Sequence, residues 1–465
     1  MAAPSLSGKK VTVVGLARSG GAAARLCLRE GARVTVTDRR GEAELAGALE
    51  GLHVRRRLGG HDLADFEGAD LVVVSPGVPM ALPELAAARR RGVQIWGEIE
   101  LGFRFLPPAM PVIGITGTNG KSTTTALAGA LLARARRTFT GGNLGTPLCE
   151  HVLSGAAAEA VVLELSSFQL EGIDRLRAGV AAILNVTPDH LDRYRDVEDY
   201  AAAKARLFAT QQPGDTAVAN ARDDRALAMA SGSRGALLTF GLGPPVPEGA
   251  RCEDGDEASP EPRTATATIS LTRGGAPERY LLRNRALRGR HNRENAMAAV
   301  LCARLSGVPG EAVQAGLDAF PGLPHRLELV AEGRGVEWVN DSKATNVDST
   351  FVGLSAFPPG PPRVVLIMGG RGKGAPYAPL RPLFAGRVKA LLTIGEDAPA
   401  VERELGDLAP TEACGTLPGA ARRAALLSGP GDVVLLSPAC ASYDQFRNYE
   451  ERGESFRSLA AELAR

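Results

Sequence analysis

The chain has 465 residues, of which 44% are hydrophobic, 5% aromatic and 23% charged, and its net charge is +2. The length exceeds one hydrophobic core, so two to four domains are expected, while Lys and Arg scattered among acids exclude a basic face for nucleic acid or a membrane surface. Six cysteines far apart in the sequence (Cys27, Cys149, Cys252, Cys302, Cys414, Cys440) form no C-x-x-C pair, which excludes a zinc or dithiol motif and makes a reduced, cytoplasmic setting the expectation.

In chain order, MAAPSLSGKKVTVVGL holds a short apolar run that reads as a strand, without a secretory cleavage pattern, and no later run approaches about 18 uninterrupted apolar residues. GGAAARLCLREG reads as a helix, ARVTVTD as a second strand and ADLVVVSPGVP as a further one. Such alternation predicts a parallel sheet with crossover helices. The turn Gly15-Leu16-Ala17-Arg18-Ser19-Gly20 is similar to a dinucleotide fingerprint, with Ala17 in place of its second glycine, and Asp38 follows at the spacing of a ribose-binding acid. A methyl at Ala17 crowds an approaching pyrophosphate, which favours a related nucleotide over NAD. Pro107 and Pro108 then end a helix before the next strand.

GITGTNGKSTTT follows the apolar run at Val112 and precedes a helix-forming stretch through Arg137, giving strand, glycine turn and helix. In such a turn, here Gly117, Thr118, Asn119, Gly120, Lys121, Ser122 and Thr123, backbone N–H groups cradle a polyphosphate, the lysine reaches its terminal phosphates and the serine hydroxyl serves Mg2+. The strict pattern is altered, because Ile115 stands where its first glycine belongs. AEAVVLELSSFQLE, VAAILNVTPDH and DTAVANA read as three more strands, and residues 241–262, rich in Pro, Gly and acid, as a flexible loop without a chemical role. From Leu323 onward, VEWVNDSKATN, RVVLIMGGRGKG, VKALLTIG and GDVVLLSPACAS read as four strands whose polar carboxyl ends should share a cleft. The expected fold is therefore α/β in three domains: Rossmann-like over residues 1–106, a P-loop ATPase-type parallel sheet over 107–322, and Rossmann-like again over 323–465.

Several residues carry two readings at this point. Glu164, ending a strand beside the P-loop, is either a Mg2+ ligand or a capping carboxylate. His190 is a metal ligand or a loop residue, and Lys204 by itself reads as a solvated helix residue. Asn292 and Asn295 share a helix face, where amides either read an adenine edge or cap the helix. Arg326 either stabilises a transferring phosphoryl group or pairs across an interdomain joint.

The motifs GTNGKST, ELSSFQLE, NVTPDHLDRY, GRHNRENA, GLPHRLE, NDSKATN, GGRGKG and SPACASYDQFRNYEERGESF occur in one order, and together the sequence resembles the Mur ligase superfamily over nearly its whole length. ELSSFQLE, NDSKATN and the SPACAS block favour the D-glutamate-adding branch. The resemblance implies a monomeric, cytoplasmic cell-wall-precursor enzyme that activates the carboxylate of UDP-N-acetylmuramoyl-L-alanine with ATP and two Mg2+ ions. It implies that Lys121, Ser122 and Glu164 hold phosphates and one Mg2+, and that His190 and a carbamylated Lys204 hold a second. Gly15, Ala17, Arg18, Ser19, Asp38, Arg39, Arg40, Ser75, Pro76, Gly77 and Asn143 would border the UDP-linked substrate. Asn292, Asn295, Asp341 and Lys343 would serve ATP, Arg326 its γ-phosphate, and Thr345, Lys373, Ser442 and Tyr449 the D-glutamate. Relatives often carry threonine where this chain has Arg39, and the 241–262 segment is longer than usual. Three rival readings explain less. A folylpolyglutamate synthetase generally lacks the first domain, an NAD oxidoreductase leaves Lys121 and Ser122 idle, and a P-loop switch protein leaves the third domain's polar strand ends unexplained.

Overall fold

Runs such as VVVS, AVVLE and VVLIMG are apolar on both pleat faces, a pattern that suits strands sandwiched between helices. In a computed structural model, which describes residues 3–242, 248–253 and 267–465, these runs are central strands of three sheets. The first contains β1 (Lys10–Val14), β2 (Arg33–Asp38), β3 (Arg55–Leu58), β4 (Leu71–Val74) and β5 (Gln94–Gly97), all parallel, in the order β3-β2-β1-β4-β5. The sequence reading missed β3, because its RRRL carries three arginines on an edge strand, and β5, whose QIWG is short.

Among the described residues the second sheet runs β14-β13-β12-β11-β10-β9-β6-β8-β7. Its strands are β6 (Val112–Thr116), β7 (Thr138–Gly142), β8 (Ala160–Glu164), β9 (Val180–Ile183), β10 (Thr216–Asn220), β11 (Ala236–Leu242), β12 (Gly249–Glu253), β13 (Ala267–Thr272) and β14 (Glu278–Leu282). β7 to β12 pair in parallel, and β13 is antiparallel to β12. The expected loop over 241–262 is corrected in part: Gly249–Glu253 is a strand paired on both sides, its short apolar content masked in the sequence by flanking Pro and acid. Positions 243–247 and 254–262 of that loop lie outside the described residues.

The third sheet, in the order β15-β16-β20-β17-β18-β19, holds β15 (Glu328–Gly333), β16 (Val336–Asn340), β17 (Val364–Gly369), β18 (Val388–Ile394), β19 (Thr411–Gly415) and β20 (Val433–Leu436). β16 to β20 are parallel to their neighbours, and the edge strand β15 joins as an antiparallel hairpin with β16. Period-two alternation divides β17 between two cores: Val364, Leu366 and Met368 pack on one face, Val365 and Ile367 on the other. Each such fully buried side chain contributes about 1.5–3 kcal/mol. The result is a three-domain α/β fold. By its contacts the chain forms two compact units, one with residues up to 253 plus 268–281 and 294–317, the other with 282–293 and 318–465. No helix among the described residues is long and apolar enough to cross a membrane.

The first turn owes its two glycines to close packing. Ser75 Oγ donates to Gly15 O at 2.7 Å, and a Cβ on Gly20 would lie 1.8 Å from that same carbonyl oxygen and 2.5 Å from Ser75 Oγ. Gly20→Ala should therefore cost about 1–3 kcal/mol; an unchanged melting temperature by scanning calorimetry would refute this account of the turn.

Candidate active site

Ligand sites of parallel sheets lie beyond the carboxyl ends of the strands, and in the second sheet those ends gather the P-loop, Glu164 and the segment after β9. β6 leads into residues 117–120, and the helix Lys121–Ala133 begins directly on Lys121, with Gly120 as its left-handed cap at φ 84°. A Cβ at Gly120 would meet Asn295 Oδ1 at 2.2 Å. Gly114, by contrast, lies within the strand, where a Cβ would strike Leu207 at 2.8 Å, so its role is packing. The loop is held from behind by Asn185: its carbonyl accepts Thr118 N at 2.9 Å and its side-chain oxygen accepts Asn119 N at 2.8 Å. Two of the N–H groups expected to face a phosphate are thus turned inward, and the first turn of the helix, whose N–H groups lack intrahelical acceptors, provides the anion-binding end. Lys121 begins that turn and Ser122 and Thr123 follow in it.

Lys121 Nζ donates to Gly117 O at 2.8 Å and to Thr118 O at 2.7 Å. Lys204, from the helix Val197–Ala205, donates to the same Gly117 O at 2.9 Å. The expectation of a solvated Lys204 is corrected: it is 1% exposed, because alanines on either side let its helix pack closely under the loop. Burial first, then the neighbouring Lys121 charge, pulls its amine down to about 6. No carboxylate among the described residues pairs with it, and its Nζ lies 4.4 Å from the Tyr200 ring centroid. His190, held in a left-handed turn at φ 54°, lies edge-on to that same ring at 6.1 Å and packs tilted against Phe168 at 4.8 Å. Its Nε2 is 3.5 Å from Asp189.

Glu164 is the carboxylate best suited to a cation. It is 2% exposed, one oxygen accepts Asn143 Nδ2 at 2.6 Å, and the other is buried without a hydrogen-bond partner. A buried, half-satisfied carboxylate at the end of the strand beside β6 fits a hard cation. Among the described residues no three His, Cys, Asp or Glu side chains form a ready-made ligand set, so any such cation draws on hydroxyl and phosphate oxygens as well. Asn295, on the helix Arg290–Leu305, accepts from Thr124 Oγ1 at 3.2 Å and so sits against the P-loop helix. Asn292, one turn earlier, donates to Arg288 O at 2.9 Å.

At the first sheet's carboxyl ends Asp38 organises the turn. It accepts Leu16 N at 2.8 Å, and Arg40 through backbone and side chain. Burial acts to raise its carboxyl, but these donors outweigh burial and hold it at about 2. Gly15 and Ser75 are joined as described, Ala17 is the N-cap of Arg18–Arg29, Ser19 lies in its first turn, and Arg39 is exposed. Arg18 reaches out to Gly145 O at 2.7 Å. Pro76, which precedes Gly77, accepts from Arg193 at 2.9 Å. Arg193 also pairs with Glu171 of ELSSFQLE at 2.8 Å, a role the sequence reading did not assign to either residue.

In the other unit Arg326 lies between two residues of positive φ, His325 (61°) and Leu327 (45°). Its Nε is buried without a partner, and its charge acts on His291, Asp341 and Tyr449. Lys343 Nζ lies 5.5 Å from the Tyr449 ring centroid. Thr345 follows through a tight turn, Thr345 N donating to Lys343 O. Lys373 is exposed on the glycine-rich loop after β17, and Ser442 is buried after β20. The sequence reading missed Arg452, 1% exposed, whose guanidinium donates to Ser342 O at 2.9 Å and Cys440 O at 3.1 Å and binds these two segments together. Its helix, Tyr449–Leu463, reads as an ordinary charged surface helix, so no local signal marks it.

Comparison with known proteins identifies the family of this fold. Residues 9–97 match the N-terminal domain family described as Mur ligase MurD-like, residues 115–303 the Mur ligase middle domain, and residues 325–440 the Mur ligase glutamate ligase domain. The chain is 79% identical to a UDP-N-acetylmuramoylalanine–D-glutamate ligase of Anaeromyxobacter dehalogenans (strain 2CP-C), over 100% of both chains. It is 52% identical to the protein of that name from Myxococcus xanthus (strain DK1622), over 99% of each. A crystal structure of MurF ligase from Thermotoga maritima in complex with ADP shares the fold, with a TM-score of 0.61 at 17% identity, covering 99% of this chain and 96% of that one.

Burial, opposed by Ser437 and Arg326, raises the Asp341 carboxyl to about 7. Between about pH 4 and this value the folded chain keeps a proton that the unfolded chain releases, so Asp341's contribution to stability falls as pH rises across that window. The melting temperature of Asp341→Asn should accordingly lose less than that of the unsubstituted protein between about pH 5 and 7; parallel curves for the two proteins would contradict the assignment.

Proposed function

The chain belongs to the Mur ligase family, and on that premise we propose that it joins D-glutamate to UDP-N-acetylmuramoyl-L-alanine at the expense of ATP, in peptidoglycan precursor synthesis. The observation that carries this reading is the convergence of Lys121, the half-satisfied Glu164 and the buried Lys204 at the carboxyl end of β6. The full-length relatives named for this ligation supply the substrates. A carboxylate and an ammonium ion do not condense in water. ATP therefore transfers its γ-phosphoryl group to the L-alanyl carboxylate and leaves as ADP. The D-glutamate amine then attacks the acyl phosphate carbon, phosphate departs and the amine gives up a proton.

The protein's part is positioning and charge neutralisation. The loop of Gly117, Thr118, Asn119, Gly120, Lys121, Ser122 and Thr123 holds the triphosphate, Thr118 and Asn119 by shaping the turn that Asn185 anchors, with the Lys121 amine moving from loop carbonyls to phosphate oxygens. Asn292 and Asn295 serve the adenine, Asp341 and Lys343 the ribose side, and Arg326 the γ-phosphate. Two Mg2+ ions fit residues already described: Ser122 with Glu164 would hold one, His190 with carbamylated Lys204 the other, and they would neutralise phosphate charge. The carbamate forms when the neutral Lys204 amine adds CO2 and releases a proton; its low exposure and lack of a carboxylate partner favour that form of the side chain. Gly15, Ala17, Arg18, Ser19, Asp38, Arg39, Arg40, Ser75, Pro76, Gly77 and Asn143 hold the UDP-linked substrate. Thr345, Lys373, Ser442 and Tyr449 grip D-glutamate. Domains 1–106, 107–322 and 323–465 thus take the UDP-linked substrate, ATP and the amino acid in turn. The enzyme is a cytoplasmic monomer.

Phosphate release from ATP should require both UDP-N-acetylmuramoyl-L-alanine and D-glutamate, and fail with L-glutamate, L-alanine or diaminopimelate. Release with a different acceptor would move the enzyme to a neighbouring step. Lys204→Ala should lower turnover by about 10²–10³, as removal of one stabilising group in a polar site does. 13C-bicarbonate should give a carbamate resonance in the unsubstituted protein alone; full turnover in Lys204→Ala would end the carbamate assignment.

A further inference from the structure

Lys373 lies in the glycine-rich loop that leaves β17, and one end of that loop is tied to the segment carrying Ser442. Arg371 N donates to Ala441 O at 2.9 Å and Ala441 N to Arg371 O at 3.0 Å, a two-bond bridge one residue before Ser442. The far end is tied differently. Tyr377, 2% exposed in the core under the sheet, donates its hydroxyl to Asp397 Oδ2 and lies 3.0 Å from Cys440 Sγ. Asp397 N in turn donates to Gly370 O at 2.9 Å. Its carboxylate lies so close beneath the loop that a Cβ on Gly372 would come within 2.1 Å of Oδ2. Glu404 accepts Tyr377 N at 2.7 Å and Ala378 N at 3.0 Å, fixing the backbone where the loop ends.

We infer that Tyr377, acting through Asp397, is a positioning residue for amino-acid binding: the pair closes the far end of the loop and sets where Lys373 stands relative to Ser442. This rests on the reading of Lys373 and Ser442 as the D-glutamate grip. The logic is geometric. Lys373 is an exposed side chain among the five residues between Arg371 and Tyr377, and a cation meeting a carboxylate is sensitive to shifts of a fraction of an ångström. The Arg371 bridge and the Glu404 contacts hold the backbone at the two ends, and the Tyr377–Asp397 bond sets the Asp397 carboxylate against the glycine between them. The Cys440 contact ties Tyr377 to the segment that carries Ser442. A phenylalanine would fill the same core volume, so the hydroxyl's contribution is to loop placement.

The test is Tyr377→Phe, compared with Asp397→Ala, the double variant and Lys373→Ala, with KM measured separately for D-glutamate, ATP and UDP-N-acetylmuramoyl-L-alanine. Tyr377→Phe should raise the D-glutamate KM by about five- to tenfold, as loss of one buried hydrogen bond in a positioned site does, with the other two constants and the melting temperature little changed. The double variant should be no worse than Asp397→Ala alone, because the two side chains act as one unit. An unchanged D-glutamate KM in Tyr377→Phe, or an equal rise in all three constants together with a lower melting temperature, would overturn the inference by reducing Tyr377 to a core residue. An unchanged D-glutamate KM in Lys373→Ala would instead remove the underlying reading of the grip, and the two failures are thereby told apart.

Discussion

Two lysine amines converge on a single carbonyl oxygen, Gly117 O, and the chemistry of the central sheet depends on that arrangement. Two ammonium ions sharing one acceptor repel, and one of them is almost wholly removed from water. Burial resolves the conflict by driving the Lys204 amine toward its neutral form, which leaves Lys121 as the loop's cation. The helix N-terminus and the Lys121 amine together present positive charge at the carboxyl end of β6. Asn185 fixes the backbone between them, so the two amines keep their spacing whatever the outer side chains do.

The same economy of uncompensated polar groups marks the C-terminal sheet. Among the described residues Arg452 is buried without a carboxylate partner, and it donates to carbonyl oxygens and to Ser342 Oγ. These bonds replace the hydrogen bonds to water that the guanidinium loses on burial. Asp341 has a different balance: it accepts from Ser437 Oγ at 2.8 Å and Leu327 N at 3.2 Å, yet burial still raises its carboxyl. Arg326 retains a buried nitrogen without a partner. Groups left in this state are expensive to fold, and they persist where a ligand completes them.

Much of this was readable from residue order. The apolar runs of β1, β2, β4, β6, β8 to β10, β16 to β18 and β20 announce buried parallel strands, because a strand covered on both faces has no room for polar alternation. The glycine turn with Lys121 and Ser122 between strand and helix is as directly legible, because its glycines, lysine and hydroxyl are adjacent in the chain. Edge elements escaped notice. β3 is arginine-rich, and β15 and β19 are half-exposed; β12, which is paired on both sides, is hidden instead by the Pro- and acid-rich stretches around it. At an edge, solvent tolerates polar residues, so the hydrophobic signal fades where pairing alone defines the strand.

The amino-acid sequence by itself determined the class of fold, the position of the glycine turn between β6 and its helix and, through the order of its motifs, the family. It could not determine which residues are buried together. Lys204 looks like a surface residue until its helix packs under the P-loop, Glu164 looks like a cap until its second oxygen is found without a donor, and Tyr377 and Asp397 are 20 residues apart until the third sheet brings them together. Desolvation and close contact depend on every neighbour at once. Local pattern records only what each residue would prefer alone, and for that reason these decisions belong to the tertiary structure.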